Sequence, residues 1–330
     1  MENANVASIE TRLSWRDYFG MFKMRIGIGR NKYRVAPGLY KAGTPQPDSP
    51  VFVSANYKMS FDLLRSNLAG IDAWILVLNT RGVNVWCAAG KGTFSTRELV
   101  KMIKKVGLET FVSHRELILP QLSAPGVAAH EVMKNSGFKV KFGPIRAGDI
   151  KRFIDNGKVA DAEMREVTFS LWERFVLTPN ELASRLKVSF LIIAAILVIS
   201  NIGNGLFSFH WELYRGIFGS AAYIIGLLSG AVIAPLFLPW LPGRSFAAKG
   251  ALTGLVLSTL FCLFIHEQLG FMSVAAILIF ASSVSSYVAL TFTGATPFTS
   301  PTGVEKEMRL AIPIQIAAVV LSCALWIARH

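Results

Sequence analysis

The chain has 330 residues, 52% of them hydrophobic, and a formal charge of +13. That length suits two units of roughly 150 residues each, and composition changes near Lys187 from a mixed half to an almost continuously apolar half. Three cysteines, Cys87, Cys262 and Cys323, give no disulfide framework and fit a reducing compartment.

The first residues, Met1 to Asn5, lack a basic n-region and an apolar h-region, so the first half is expected in the cytoplasm. Residues 1–50 read as a basic N-terminal segment. Within it, Trp15 to Arg34 mixes aromatic residues with Arg16, Lys23, Arg25, Arg30 and Lys32. Such a stretch beside a membrane domain faces anionic lipid head groups or an acidic partner. No nucleic-acid motif accompanies it, which argues against nucleic acid as the partner.

Residues 51–180 form a second region in which apolar runs alternate with helical patterns. Val51 to Ala55 reads as a buried strand. A helix from Ser60 to Ala69 follows, with Ser60 as N-cap and Phe61, Leu64 and Leu68 on one face. Ala73 to Leu78 is a second strand, Asn79 to Gly82 a turn, and Val83 to Trp86 a third strand running into Cys87. A helix over Ser95 to Val106 takes Ser95 or Thr96 as its cap. Leu117 to Pro120 and Lys139 to Phe142 are strands around a Val127–Asn135 helix. Strands alternating with helices predict an α/β Rossmann-like, doubly wound parallel sheet. Such sheets bind ligands at the carboxyl ends of their strands, where this reading puts Cys87.

A linker at 181–187 leads to an all-α domain over 188–330. Five segments reach the roughly 20 apolar residues a spanning helix needs: 188–207, 217–238, 246–265, 272–292 and 310–328. Arg185, Lys187, Arg244, Lys249, Lys306 and Arg309 fall on one side, Arg215 and Arg329 on the other. The positive side is the inner one. The expectation is a multi-pass protein of the cell inner (cytoplasmic) membrane with the first domain cytoplasmic and the C-terminus outside. Gly226 and Gly230, and Gly250 and Gly254, are spaced for close helix approach. Asn201 and Asn204 suit helix–helix hydrogen bonds, and Cys262 and Cys323 read as small core residues.

Gly90-Lys91-Gly92-Thr93 invites a phosphate-loop reading, but Gly92 stands where Ser or Thr is needed and Val85 where the earlier glycine belongs. No Gly-x-Gly-x-x-Gly follows the first strand, and His-Glu-x-x-His and Cys-x-x-Cys are absent. What remains is Cys87 beside Ala88, Ala89 and Gly90, small residues that let a large flat cofactor approach the backbone. By these features alone Cys87 is either a buried structural residue or a ligand or nucleophile.

The run Asn84-Val85-Trp86-Cys87-Ala88-Ala89-Gly90-Lys91-Gly92-Thr93-Phe94 resembles the cap-helix motif of the HgcA family, the corrinoid proteins of microbial mercury methylation. Ala36 to Tyr40, Val53 to Lys58 and Leu119 to Val127 share the resemblance, and so does the layout of one soluble domain followed by five spans. The soluble part is similar to the corrinoid domain of the corrinoid iron–sulfur protein of acetyl-CoA synthesis. The resemblance implies a cobalamin-type corrinoid with Cys87 as the lower axial ligand of cobalt. Asn84, Val85, Trp86, Ala88, Ala89, Gly90 and Lys91 then shape the lower face, with Ser54 and Ser60 near the cofactor where related domains carry threonines. It implies a corrinoid-dependent methyltransferase that carries a methyl group to Hg(II), forming methylmercury. The partners implied are a methyl-donor methyltransferase and an HgcB-type ferredoxin-like protein with two 4Fe–4S clusters that supplies electrons and binds mercury. A corrinoid methyl carrier or electron-transfer subunit with another acceptor, and a membrane-anchored thiol sensor, are the alternatives.

Overall fold

The computed structural model describes residues 6–29, 32–200, 209–265, 269–296 and 298–328. The chain separates into two compact units, Met1–Met24 with Ile28–Thr168, and Arg25–Gly27 with Phe169–His330.

The first unit is built on a six-stranded sheet. Its elements are β1 (Ala7–Ile9), α1 (Trp15–Arg25), β2 (Gly38–Ala42), β3 (Val51–Ala55), α2 (Lys58–Ser66), β4 (Ala73–Leu78), α3 (Val85–Gly90), α4 (Thr96–Val106), β5 (Glu116–Leu119), α5 (Ala129–Ser136), β6 (Lys139–Phe142) and α6 (Ile150–Asp155). The strand order is β1-β2-β4-β3-β5-β6. Strands β3 to β6 pair in parallel, as the alternating pattern predicts.

The sheet is mixed, not wholly parallel, because β2 runs antiparallel to β4. Only residues 43–50 separate β2 from β3, and a parallel return needs a crossover of about a dozen residues or more. The first 50 residues are therefore not merely a basic segment: they contribute β1 and β2 to the sheet.

Period-2 alternation splits the core into two layers. Ala73, Ile75 and Val77 of β4 pack with Phe52, Phe61, Leu64, Ile150 and Phe153 on one face. Trp74, Leu76 and Leu78 pack with Val51, Val53, Leu99, Ile103 and Val132 on the other. Every residue of β4 is buried, and each large apolar side chain so buried contributes roughly 1.5–3 kcal/mol.

Two expected local features differ and a third holds. Residues 83–86 form no strand; Val85 opens α3. Ala88 and Ala89 favour helix, and the Asn84 side chain caps the turn by accepting from Cys87 N–H at 2.9 Å. Ser60 is not an N-cap, since α2 begins at Lys58 after Tyr57; the Lys58–Asp62 bridge, 2.6 Å and one turn apart, supports that earlier start. Ser95 does cap α4, accepting from Glu98 N–H, while the Thr96 hydroxyl accepts from Ala128 N–H.

The second unit holds α7 (Leu171–Ser200), α8 (Phe209–Leu228), a π-helical turn (Ser229–Ile233), α9 (Ala234–Leu236), α10 (Phe246–Ile265), α11 (Phe271–Thr291) and α12 (Pro301–Ile327). Among the described residues, five helices are long and apolar enough to cross a membrane. Helix α7 is continuous through 181–187, where composition suggests a linker; the Glu181–Arg185 bridge of 2.7 Å lies inside that stretch. The π turn precedes Pro235, which has no N–H to give to the ladder. Asn201 and Asn204, the last part of the first expected span, and Arg329 lie outside the described residues.

The paired glycines all face α11. A Cβ on Gly226 would stand 2.7 Å from the Ala281 carbonyl oxygen, and one on Gly250 2.5 Å from Ala289 Cβ. Gly230 and Gly254 meet the Ser285 backbone and the Ser285 side chain in the same way. Ser285 Oγ donates to the Gly250 carbonyl at 2.6 Å, and Gln315 Nε2 donates to Ser286 Oγ at 2.8 Å. Small residues and short polar bonds thus hold α10, α11 and α12 together, as apolar attraction alone does not between helices in lipid.

Candidate functional site

The order β4-β3-β5 contains a reversal. The chain leaves β3 for β4 on one side, then returns to β5 on the other. The carboxyl ends of strands flanking such a switch point form a crevice suited to ligands. In this domain that crevice is a cleft of ≈ 1050 Å³, open mouth included. Phe52, Val53 and Ser54 of β3 and Ile118 and Leu119 of β5 form its floor. Met59, Ser60 and Leu63 of α2 form one wall, Asn84, Val85 and Trp86 another, and the turn Gly143-Pro144-Ile145 after β6 closes a third side. The lining is mostly apolar, which suits a large flat ligand with few polar anchors.

Of the residues singled out from sequence, Ser54, Ser60, Asn84, Val85 and Trp86 come together in this cleft. Cys87, Ala88, Ala89, Gly90 and Lys91 do not line it. Ala88 and Ala89 are buried against the core, whereas Gly90 and Lys91 are exposed beyond them. The Cys87 thiol is exposed, one residue along α3 from the cleft-lining Trp86. The residue is therefore not the inert buried cysteine that composition leaves open, and it stands on a short helix rather than at the end of a strand.

A network that sequence reading did not single out carries α3. Asn56 Oδ1 accepts from Thr80 N–H at 3.0 Å, Thr80 Oγ at 2.9 Å and Gly82 N–H at 2.9 Å. Thr80 Oγ lies 2.7 Å from the Val83 carbonyl, and Asn56 is 2% exposed. The turn itself needs positive φ at Arg81 (60°) and Gly82 (77°). From behind, Gly126 lies against α3: a Cβ there would meet the Phe94 carbonyl and come within 3.0 Å of Ala89 Cα. Asn56 lies in the Val53–Lys58 run and Gly126 in the Leu119–Val127 run, so the resemblance marked both stretches without showing their purpose.

Beside the cleft, α2 is tied to α1. Asp17 bonds Lys58 Nζ at 2.7 Å and Arg65 at 2.9 Å. Burial pushes the Asp17 carboxyl up, but hydrogen bonds from Lys58, Ser14 and Arg65 more than offset it and hold Asp17 well below the usual carboxylate range.

Among the described residues no three His, Cys, Asp or Glu side chains gather into a metal site. A metal held by protein alone asks for three or four donors, whereas a metal inside a macrocycle brings its equatorial ligands and asks the protein for one axial donor. Cys87 offers a single exposed thiol, next in sequence to the cleft-lining Trp86.

Fold and site thus define a doubly wound α/β domain with a cleft at the switch point, in a chain that also carries five candidate membrane spans among its described residues. The family model of the CO dehydrogenase/acetyl-CoA synthase delta subunit matches residues 27–154. The acetyl-CoA decarbonylase/synthase complex subunit gamma of Archaeoglobus fulgidus is 35% identical over 128 residues, which are 38% of this chain and 27% of that protein. Subunit gamma of Methanopyrus kandleri is 30% identical over 128 residues, and subunit gamma 1 of Methanosarcina thermophila 32% over 130, with the same shares of 38% and 27%. The chain spans about a quarter of the length of these relatives. The similarity covers the domain that holds the cleft.

Proposed function

We propose that the chain is a corrinoid-dependent methyltransferase of the inner membrane, with Cys87 the lower axial ligand of cobalt and Hg(II) the methyl acceptor. One observation carries this reading: the lone exposed thiol on a capped helix, directly after Asn84, Val85 and Trp86, which line an apolar switch-point cleft. The similarity to subunits of acetyl-CoA decarbonylase/synthase complexes supports the corrinoid part. The mercury part is supported by the resemblance of residues 84–94, with the flanking runs 36–40, 53–58 and 119–127 and the layout of a domain followed by five spans.

When bound, the corrinoid supplies the methyl group and the metal from which it leaves. The chain's own residues do the rest. Thiolate is a soft, strongly donating ligand, and in haem proteins it enriches the electron density of the metal it binds. Cys87 would hold the cobalt and, as such a donor, would favour the corrinoid's giving up a methyl group to a soft electrophile. Asn84 fixes the turn of helix that presents the thiol. Val85 and Trp86 give apolar cover at the cleft wall, Ala88, Ala89 and Gly90 keep the approach clear of bulk, Lys91 closes the helix, and Ser54 and Ser60 offer hydroxyls.

Repeated turnover needs a methyl-donor methyltransferase and a reductant. We assign the second role to a ferredoxin-like, HgcB-type chain with two 4Fe–4S clusters, since three cysteines in 330 residues cannot hold them here. The charge distribution of the loops supports a cytoplasmic first domain and an outer C-terminus.

Anaerobically purified protein should contain about one cobalt per chain, with a corrinoid spectrum. Cys87→Ala should keep its fold, lose the thiolate signature of that spectrum and lose methylmercury formation. Full methylation by Cys87→Ala refutes the ligand role. A second reading, a corrinoid methyl carrier with another acceptor, is favoured by the relatives' complexes. It predicts the same spectrum without methylmercury.

A further inference from the structure

Helix α1 turns its polarity inside out. Trp15, Tyr18, Phe19 and Phe22 recur at helical spacing on one face and are 71%, 60%, 52% and 57% exposed. The opposite face carries the helix's one acid inward: Asp17 bonds Lys58 and Arg65, while Gly20, Met21 and Met24 are buried beside it. A helix that met only water would show the reverse.

The charge along this stretch of sequence is one-sided. Residues 12–34 contain seven Lys or Arg (12, 16, 23, 25, 30, 32 and 34) and one acid, Asp17, already consumed by its ion pairs. Lys23 Nζ lies 5.1 Å from the Phe19 ring centre and the Arg16 guanidinium 5.8 Å from that of Trp15. Their aliphatic stems share the aromatic surface while their charges reach past it. Tryptophan and tyrosine prefer the level of lipid head groups, and cations beside them prefer an anionic surface. The same chain carries five candidate spans, which keep α1 within reach of a bilayer.

We propose that α1 is an interfacial helix whose Trp15–Tyr18–Phe19–Phe22 face lies in the head-group layer of an anionic membrane. The Asp17 bridges to α2 would then hold one wall of the cleft to that surface. This inference does not depend on the corrinoid reading, and its test needs no cofactor.

The test uses the full chain in nanodiscs. Nitroxide labels are placed at Phe19→Cys, Phe22→Cys and, as an exposed control, Glu109→Cys, in a background carrying Cys87→Ala, Cys262→Ala and Cys323→Ala. With phosphatidylglycerol present, labels at 19 and 22 should collide with oxygen several-fold more, relative to a nickel chelate, than the label at 109. Equal ratios at all three sites overturn the proposal. Burial of 19 and 22 that appears only when a second protein is added marks a protein interface and overturns it as well. In the chain with native cysteines, amides of 15–25 should exchange several-fold more slowly in phosphatidylglycerol than in phosphatidylcholine nanodiscs. Equal exchange removes the anionic requirement and refutes the proposal as stated.

Discussion

Asn56→Ala is the sharpest test of how this domain holds its thiol. The substitution removes one oxygen that three donors share, Thr80 N–H, Thr80 Oγ–H and Gly82 N–H, all within 3.0 Å. Thr80 is fully buried and Asn56 nearly so, so water does not simply replace the lost acceptor. A net hydrogen bond is worth about 0.5–1.5 kcal/mol, and a buried donor left alone costs about 1–3 kcal/mol. The Thr80 hydroxyl can still turn to the Val83 carbonyl, 2.7 Å away, and Thr80 N–H keeps the Leu78 carbonyl at 3.1 Å, which leaves the Gly82 N–H orphaned. The expected local loss is therefore about 1–3 kcal/mol, roughly a 5- to 150-fold rise in amide exchange over residues 79–91, with α6 on the other face of the sheet unchanged. Thr80→Val, which removes only the hydroxyl, should cost about half as much. The double variant should lose less than the sum, because either single variant already removes the bond between the Thr80 hydroxyl and Asn56. Exchange mass spectrometry on the full chain reads all three. If Asn56→Ala changes exchange at 79–91 less than about fivefold, or the two losses simply add, the network does not position α3.

The remaining predictions bear on packing and charge. Gly126→Ala should destabilise the domain by about 1–3 kcal/mol and lower corrinoid retention, because its Cβ meets the Phe94 carbonyl and Ala89 backbone. Gly90→Ala, with nothing within 4 Å, should be neutral or stabilise by up to about 1 kcal/mol; thermal unfolding separates the two. Because the Asp17 carboxyl is depressed in the folded chain, its contribution is present above its unfolded value of 3.8 and is lost as pH falls below it. Protection of α1 amides should therefore be flat from neutral pH to about 5 and fall below about 4, and Asp17→Asn should remove that acid limb and lower the plateau. Gly250→Leu puts a branched side chain where even a Cβ stands 2.5 Å from Ala289 Cβ and 2.6 Å from the Ser285 carbonyl. It should abolish the folded bundle in detergent, read by size-exclusion chromatography, while Ala248→Leu on the outer face should be tolerated.

Legibility in the sequence follows the range of the interactions involved. Long apolar runs announce themselves, so the third span, 246–265, coincides with α10 (Phe246–Ile265). The four glycines of the bundle could be read from spacing alone, since each acts through its own lack of a side chain. The central strands were legible for the same local reason. Helix α3 was not, because six residues are too few for a helical period to show, and Val83-Asn84-Val85 mimics alternation. Its one local signal was Asn84, a good N-cap. Asn56 was beyond reach: its partners lie 24 and 26 residues away and meet it only when β3 and β4 pair. The cleft is equally non-local. Ile118, Leu119, Gly143 and Pro144 become neighbours of Ser54 only through the order of the strands.

What the structure adds to Cys87 is a reason for its precision. A six-residue helix has little stability of its own, so a thiol placed on one needs support from outside. Here three independent contacts converge on α3. The Asn84 side chain fixes its first turn, the Asn56–Thr80–Gly82 network fixes the turn that feeds it, and Gly126 allows the backbone at Ala89 to seat closely. Ala88 belongs to the same buried cluster as Leu76, Leu99 and Ile103, and Val85 packs against it, so α3 is seated directly on the rigid scaffold that a functional element requires. A cysteine kept only for packing would need none of this support. The investment of two asparagines and a glycine in one exposed thiol is the strongest physical argument that the thiol is used.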